Sequence, residues 1–254
     1  MKKDTLESFI KKYYLNQTMD AVKWSVKNQT LNVLTSTINQ ILNVNVELKN
    51  FTEFQDSEFG IHDTEKLLKL INILGDTITI APEKMIVEEL DTVAERITSL
   101  KIEDTTTSVK YVTADLTVIP KAGRLSASAL PEFNVEIIIN KEFIEKYNGM
   151  KSALADSTAV TFKNNDMNHV SMIFGFNGRG LNTTNVKFTP ITNAGKSTLS
   201  KPLHFDVNHL KEILAANKNG KDTVLRISDA GLAQIIFTEG DITATYYLVA
   251  INGN

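Results

Sequence analysis

The chain has 254 residues and a mass of 28.2 kDa, room for one large domain or two of ordinary size, and its 42% hydrophobic and 22% charged fractions describe a globular protein. Zero Cys excludes a disulfide framework, a thiolate zinc site and a Cys nucleophile, and no apolar run reaches the roughly 18 residues of a membrane span. A net charge of −3, with 23 Lys against 4 Arg among the cations, argues against a simple nucleic-acid binder and against base-sequence readout, which favours the bidentate guanidinium.

In chain order, Met1-Lys2-Lys3-Asp4-Thr5 leads straight into a periodic polar segment, which predicts no signal peptide. Residues 4–14 place Leu6, Phe9, Ile10 and Tyr13 on one helical face behind a capping-box-like Asp4 and Glu7. Ala21–Val26 and Val44–Leu48 alternate as strands do. Residues 63–74 repeat the helical spacing with Leu67, Leu70, Ile71 and Leu74, opened by Asp63 and stopped at Gly75. Glu88, Glu89 and Asp91 form an acidic cluster, expected on a solvated loop or helix face, and Ser108–Val118 reads as a strand. Pro120, Gly123 and Pro131 mark a linker. After it come a strand at Val135–Ile139, a helix with the stripe Phe143, Tyr147, Met150 and Leu154, and strands at Val170–Phe176 and Val186–Phe188. A helix behind Asp206 carries Leu210, Ile213 and Leu214, and strands follow at Gln234–Phe237 and Thr243–Ile251.

The two halves echo each other. Phe9-Ile10-Lys11-Lys12-Tyr13 returns as Phe143-Ile144-Glu145-Lys146-Tyr147, and Lys27–Asn32 as Lys163–Asn168. His62-Asp63 with Leu67, Leu70 and Ile71 returns as His204-Phe205-Asp206 with Leu210, Ile213 and Leu214, each followed by Asp-Thr and a strand. Preserved order with a slowly drifting offset is the mark of duplication. The expected organisation is one domain at 1–118, a linker at 119–133 and a second domain at 134–254. Each domain holds two short helices on one face of antiparallel sheet, an α+β class.

Lysine follows the helices. Lys2, Lys3, Lys11 and Lys12 accompany the first, Lys66 and Lys69 the second, Lys141, Lys146 and Lys151 the third, and Lys211, Lys218 and Lys221 the fourth. The four helical segments carry +2, 0, +1 and +1, so the rest of the chain must hold −7 to reach −3. A solvated helix face also favours Lys, and Glu145 and Glu212 interrupt the pattern. No catalytic or cofactor motif survives inspection. Ala194-Gly195-Lys196-Ser197-Thr198 has Pro190 where a phosphate-binding loop needs Gly, Gly175–Gly180 misorders a dinucleotide fingerprint, and His204 and His209 at i, i+5 do not share a helical face. No cofactor, no metal and no enzymatic activity are expected.

Tyr246-Tyr247-Leu248-Val249-Ala250 is similar to the Tyr-Tyr-Leu-Ala-Pro that closes the last strand of eukaryotic DNA sliding clamps. Thr238-Glu239-Gly240 leading into Thr245–Ala250 resembles the end of T-even-like bacteriophage clamps. With the duplication, the helix lysines and the mid-chain linker, the chain resembles a sliding clamp of the proliferating-cell-nuclear-antigen type, in which residues 83–95 look like an insertion. The resemblance implies a duplicated two-domain clamp fold assembling as a homotrimeric ring. The twelve lysines named above would face double-stranded DNA without sequence specificity. Val109, Tyr111 and Leu116 of one copy would meet Thr184, Val186 and Phe188 of the next. Ile119, Leu125, Tyr247, Leu248, Ala250 and Ile251 would receive partner peptides. It further implies a DNA polymerase and a clamp loader as partners, no membrane, and a cytoplasmic setting, the host's if the source is a phage, which the abundance of Lys and Asn over Arg suits. The alternatives are a duplicated β-rich virion or tube protein that forms rings without DNA, and an enzyme on a duplicated β-rich fold.

Overall fold

The expected helices form as α1 (Lys3–Tyr14), α2 (Thr64–Asn72), α3 (Lys141–Ala153) and α4 (Val207–Ala216). Three of them are capped by a side chain that satisfies an orphan N–H of the first turn. Asp63 accepts from Lys66 N at 2.8 Å, Asn140 from Phe143 N at 2.9 Å and Asp206 from His209 N at 2.8 Å. The expected Asp4 cap does not form. The cap position is Lys2, without a side-chain bond, and Asp4 lies in the first turn, where its charge favours the helix dipole. The start of α1 is instead tied down by Lys3 N donating to Asp76 O at 2.8 Å.

The structure, a computed structural model, describes residues 1–89, 92–123, 130–166, 169–176, 182–191, 198–221 and 223–252. Between α1 and α2 run β1 (Val22–Lys27), β2 (Thr30–Ser36), β3 (Leu42–Leu48) and β4 (Ser57–Ile61), and after α2 come β5 (Thr79–Glu89), β6 (Thr92–Glu103) and β7 (Ser108–Val112). The second half begins with β8 (Val135–Ile139). Between α3 and α4 it has β9 (Ala159–Asp166), β10 (His169–Phe174), β11 (Thr184–Phe188) and β12 (Leu203–Asp206), then β13 (Thr223–Ser228), β14 (Leu232–Glu239) and β15 (Ile242–Val249). Helix, four strands, helix, three strands thus occurs twice. The spatial order repeats as well: β4-β1-β2-β3 in the first half corresponds to β12-β9-β10-β11 in the second. The remaining strands order as β5-β6-β7 and as β8-β13-β14-β15.

Contacts divide the chain into two units. One is Met1–Ser36 with Val44–Gly123 and Gly240–Ala244; the other is Thr37–Asn43 with Arg124–Glu239 and Thr245–Asn254. In the first, α1 packs on α2, and Phe9, Tyr13, Trp24 and Phe59 form the aromatic heart with ring centroids 5.7–5.8 Å apart. Trp24 Nε1 donates to Tyr13 Oη at 3.2 Å, which gives a fully buried indole its partner. In the second, α3 packs on α4, and Tyr147 Oη donates to Val207 O at 2.5 Å, fastening one helix to the start of the other. Burial pushes the hydroxyls of Tyr13, Tyr147 and Tyr246 far up, so all three serve as neutral hydrogen-bonding groups.

Several local expectations change. The strand expected over Ser108–Val118 stops at Val112, because Ala114 turns to bridge Gly60 and Asp115 caps a 3₁₀ turn at Leu116–Val118, accepting from Thr117 N at 2.8 Å. Of the acidic cluster expected on a loop or helix face, Glu88 and Glu89 belong to β5, paired with β6, and Asp91 lies outside the described residues. The strand expected to reach Phe176 ends at Phe174, before Gly175 at φ +74°. Ala194–Ser197 and Asn177–Gly180 lie outside the described residues. Among the described residues no helix is long and apolar enough to cross a membrane.

At Gly60 the chain approaches itself closely. A Cβ there would stand 2.7 Å from Ile119 Cγ1 and 2.8 Å from Ala114 O. Gly60→Ala should therefore cost about 1–3 kcal/mol in urea unfolding. Gly149→Ala, in α3 with nothing within 4 Å of the added carbon, should raise stability by about 0.5–1 kcal/mol.

Candidate nucleic-acid interface

The helix lysines divide by what they touch. Lys2, Lys11, Lys66, Lys69, Lys141, Lys146, Lys211, Lys218 and Lys221 are exposed, the last two lying just beyond the end of α4. Lys12 is not. It is 1% exposed, because α1 buries more of its circumference than the apolar stripe alone requires; Glu7 and Tyr14 are buried too. At about 100° per residue, position 12 lies only about 60° around the helix from Phe9, on the flank of the stripe rather than opposite it. Lys3 and Lys151 hold backbone. Lys3 Nζ donates to Leu74 O at 2.7 Å, and Lys151 Nζ to Ala155 O at 2.6 Å and Ser157 O at 2.9 Å, where it satisfies carbonyls beyond the end of α3.

Most exposed lysines sit beside a carboxylate. Lys11 pairs with Glu7 at 2.7 Å, Lys69 with Glu65 at 2.5 Å, Lys146 with Glu142 at 2.6 Å, Lys141 with Glu145 at 3.7 Å and Lys211 with Glu212 at 3.3 Å. Donating to the Glu65 carboxylate raises the Lys69 ammonium pKa, and accepting from Lys146 lowers that of the Glu142 carboxyl. Solvated pairs of this kind contribute little to stability. They hold side chains loosely and exchange readily for another anion. Among the described residues Lys2, Lys66, Lys218 and Lys221 make no ion pair.

The strands expected at a subunit boundary are edges. Among the described residues β7 pairs with β6 alone and β11 with β10 alone. What β7 presents is mainly backbone: Val109 and Tyr111 are buried, and the Tyr111 hydroxyl accepts from His62 N at 3.2 Å and Asp63 N at 3.1 Å at the start of α2. Leu116 is exposed but lies in the 3₁₀ turn, not in the strand. On β11, Thr184, Val186 and Phe188 are half-buried, with Phe188 5.1 Å from the Phe143 ring of α3, while Asn185 and Lys187 face outward.

Of the six residues expected to receive peptides, Leu248 is 1% exposed and belongs to the core, as strand alternation between half-buried Tyr247 and exposed Val249 requires. Tyr247 accepts from Gln234 Nε2 at 3.1 Å. Ala250 N donates to Gly231 O at 2.7 Å and Ile251 N to His204 O at 2.8 Å, holding both half-buried side chains at the end of β15. Ile119, in the other unit, is 6% exposed and packs on Gly60. Leu125 lies outside the described residues. Among those residues no group of three His, Asp or Glu is placed to hold a metal.

No family model and no curated protein matches the chain. Solved structures do match. The structure of the C-terminal region of FEN-1 bound to A. fulgidus PCNA aligns with TM-score 0.73 at 16% identity, over 100% of this chain and 98% of that one. Proliferating cellular nuclear antigen from Entamoeba histolytica aligns with TM-score 0.72 at 13% identity, over 99% and 96%. The chain has the PCNA-type sliding-clamp fold. At this identity the likeness is in architecture, and it spans both clamp domains rather than one.

One anchor fixes the chain just past the end of α2. Asp104 accepts from Gly75 N at 2.5 Å, just past the helix end, and from Thr106 N and Thr107 N at 2.6 Å. These backbone donors hold its carboxyl down to about 2. A carboxyl depressed on folding stabilises above its unfolded pKa of about 3.9, and that contribution is lost as pH falls through about 2. NMR titration should place Asp104 near 2, and Asp104→Asn should flatten the stability profile between about pH 4 and pH 2.

Proposed function

We propose that the protein is a DNA sliding clamp: a non-enzymatic ring of three copies that encircles duplex DNA without reading its sequence and tethers a replicative polymerase. The observation that carries this reading is the pair of free edges on a duplicated clamp fold. In the first half β7 ends one sheet, in the second β11 ends another, and the edges differ, so copies can join head to tail. A head-to-tail contact closes into a ring when its rotation divides a full turn. Main-chain hydrogen bonds between β7 of one copy and β11 of the next would satisfy both edges.

The lysines suit a lining that attracts without gripping. Point charges on exposed helices meet phosphate oxygens and release counterions, and the loose Glu–Lys pairs yield to phosphate at small cost. Closure, not affinity, would then keep the protein on DNA. The half-buried Tyr247, Ala250 and Ile251 at the end of β15 are proposed to receive a peptide of the polymerase, and opening the ring is assigned to a separate loader. The setting is the cytoplasm in which that replication occurs.

Threading tests encirclement without a loader. A free-ended duplex should admit the protein, and bulky blocks added to both ends afterwards should trap it through a salt wash, whereas blocks added beforehand should exclude it. Reversing Lys2, Lys66, Lys69 and Lys218 to Glu should leave the assembled mass unchanged. It should also weaken DNA association and flatten its salt dependence by about one unit of log–log slope for each phosphate no longer neutralised. Equal retention whichever order the blocks are added would rule out encirclement.

A further inference from the structure

Tyr247 ends a row of polar side chains that crosses four strands. Glu136 on β8, Arg226 on β13 and Gln234 on β14 stand opposite one another in register, and Gln234 reaches Tyr247 on β15. The alternate positions Ile137, Leu225, Ile235 and Tyr246 are buried on the other face of the same strands.

The polarity of the row is set from its charged end. Arg226 Nε pairs with Glu136 Oε1 at 2.9 Å, and Arg226 Nη1 faces Gln234 Oε1 at 3.5 Å. Gln234 Nε2 donates to Tyr247 Oη at 3.1 Å. A guanidinium offers only donors, so the amide oxygen turns toward Arg226 and the amide nitrogen toward the tyrosine. The reverse orientation would set two donors face to face, and Gln234, 5% exposed, has little water to relieve them. The ion pair with Glu136 keeps the guanidinium in place.

The consequence falls on the last member. Because Tyr247 Oη accepts from Gln234, its own proton is left to donate, and among the described residues no acceptor takes it. Tyr247 is half-buried and leads to Ala250 and Ile251 at the end of β15. A chain docked there would strip water from that hydroxyl, and the proton would then lack a partner unless the chain supplied one.

We infer that Gln234, oriented by Arg226 and Glu136, sets Tyr247 as a hydrogen-bond donor, so that the end of β15 selects peptides that bring an acceptor oxygen to it. Gln234 is thus a positioning residue that acts through Tyr247. The inference rests on the proposed reading of this region as a peptide site and adds to it the polarity of one contact.

A library of short random peptides, selected on the whole chain, supplies the probes. Those lost on Ile251→Asp bind at the end of β15, and fluorescence anisotropy gives their dissociation constants. Tyr247→Phe and Gln234→Glu should each weaken them about three- to tenfold, the first by removing the proton and the second by claiming it for a carboxylate. Gln234→Met, similar in shape but unable to take the proton, should stay within about twofold. Tyr247→Phe combined with Gln234→Glu should be no weaker than Tyr247→Phe alone, since both act on one hydroxyl. In an alanine scan of each peptide, a position that matters to the wild type but not to Tyr247→Phe supplies the oxygen from its side chain; where there is none, a backbone carbonyl supplies it.

Circular dichroism reports whether each variant folds. Should Gln234→Glu fail to fold, Tyr247→Phe, which removes a single oxygen, decides alone. Peptides that need Ile251 yet bind Tyr247→Phe as tightly as the wild type, or additive losses in the combined variant, overturn the inference and leave the peptide site standing. A selection that yields no peptide sensitive to Ile251→Asp overturns the peptide site itself, and the inference with it.

Discussion

Backbone N–H and C=O groups at a sheet edge must find partners or remain in water, and the placement of two such edges governs this protein. Within their sheets β7 and β11 are each paired on one side only. Neither strand contains a run of like charges or a proline, two usual means of blunting an edge; each offers one lysine, Lys110 and Lys187. Edges left this open are costly as sources of indiscriminate pairing unless pairing is their use. The duplication explains why the two edges differ. β11 holds in the second half the place that β3 holds in the first, and β7 the place of β15, so one chain carries two different ends of the same architecture.

The helices follow from the same duplication. Each half buries an aromatic cluster beneath a helix pair, Phe9, Tyr13 and Trp24 in one and Phe143, Tyr147 and Phe174 in the other. Burying one stripe leaves the rest of each helix to solvent, and that is where Lys11, Lys66, Lys69, Lys141, Lys146 and Lys211 stand. Their charge is less concentrated than a count implies, since i,i+4 glutamates accompany Lys11, Lys69, Lys141 and Lys146. In the proposed clamp, weakly held ammonium groups would exchange partners without a large barrier, as movement along a uniform polyanion requires.

Much of this architecture was legible in the chain. Helix stripes, the Asp63 and Asp206 caps and the repeated order of elements rest on local spacing, which sequence records directly. What sequence concealed depends on tertiary packing. Lys12 is buried because α1 is covered on its flank as well as along its stripe, and the identity of a residue does not report how wide a face its helix buries. The early end of β7 follows from Gly60 meeting Ala114, a bridge between segments far apart in sequence. Leu248 could have been assigned to the core by counting inward and outward positions through Tyr246 and Tyr247. The acidic cluster reads as a loop or helix face because charge hides the extended pairing that holds Glu88 and Glu89.

In the proposed ring the β7 and β11 edges join unlike ends of neighbouring copies until three copies close. Native mass spectrometry of the purified chain at near-physiological salt tests it most directly. The account predicts a dominant species of three chains of 28.2 kDa each, with no open series of larger assemblies. A population of single chains at every concentration, or a ladder of assemblies without a closed end point, would contradict it.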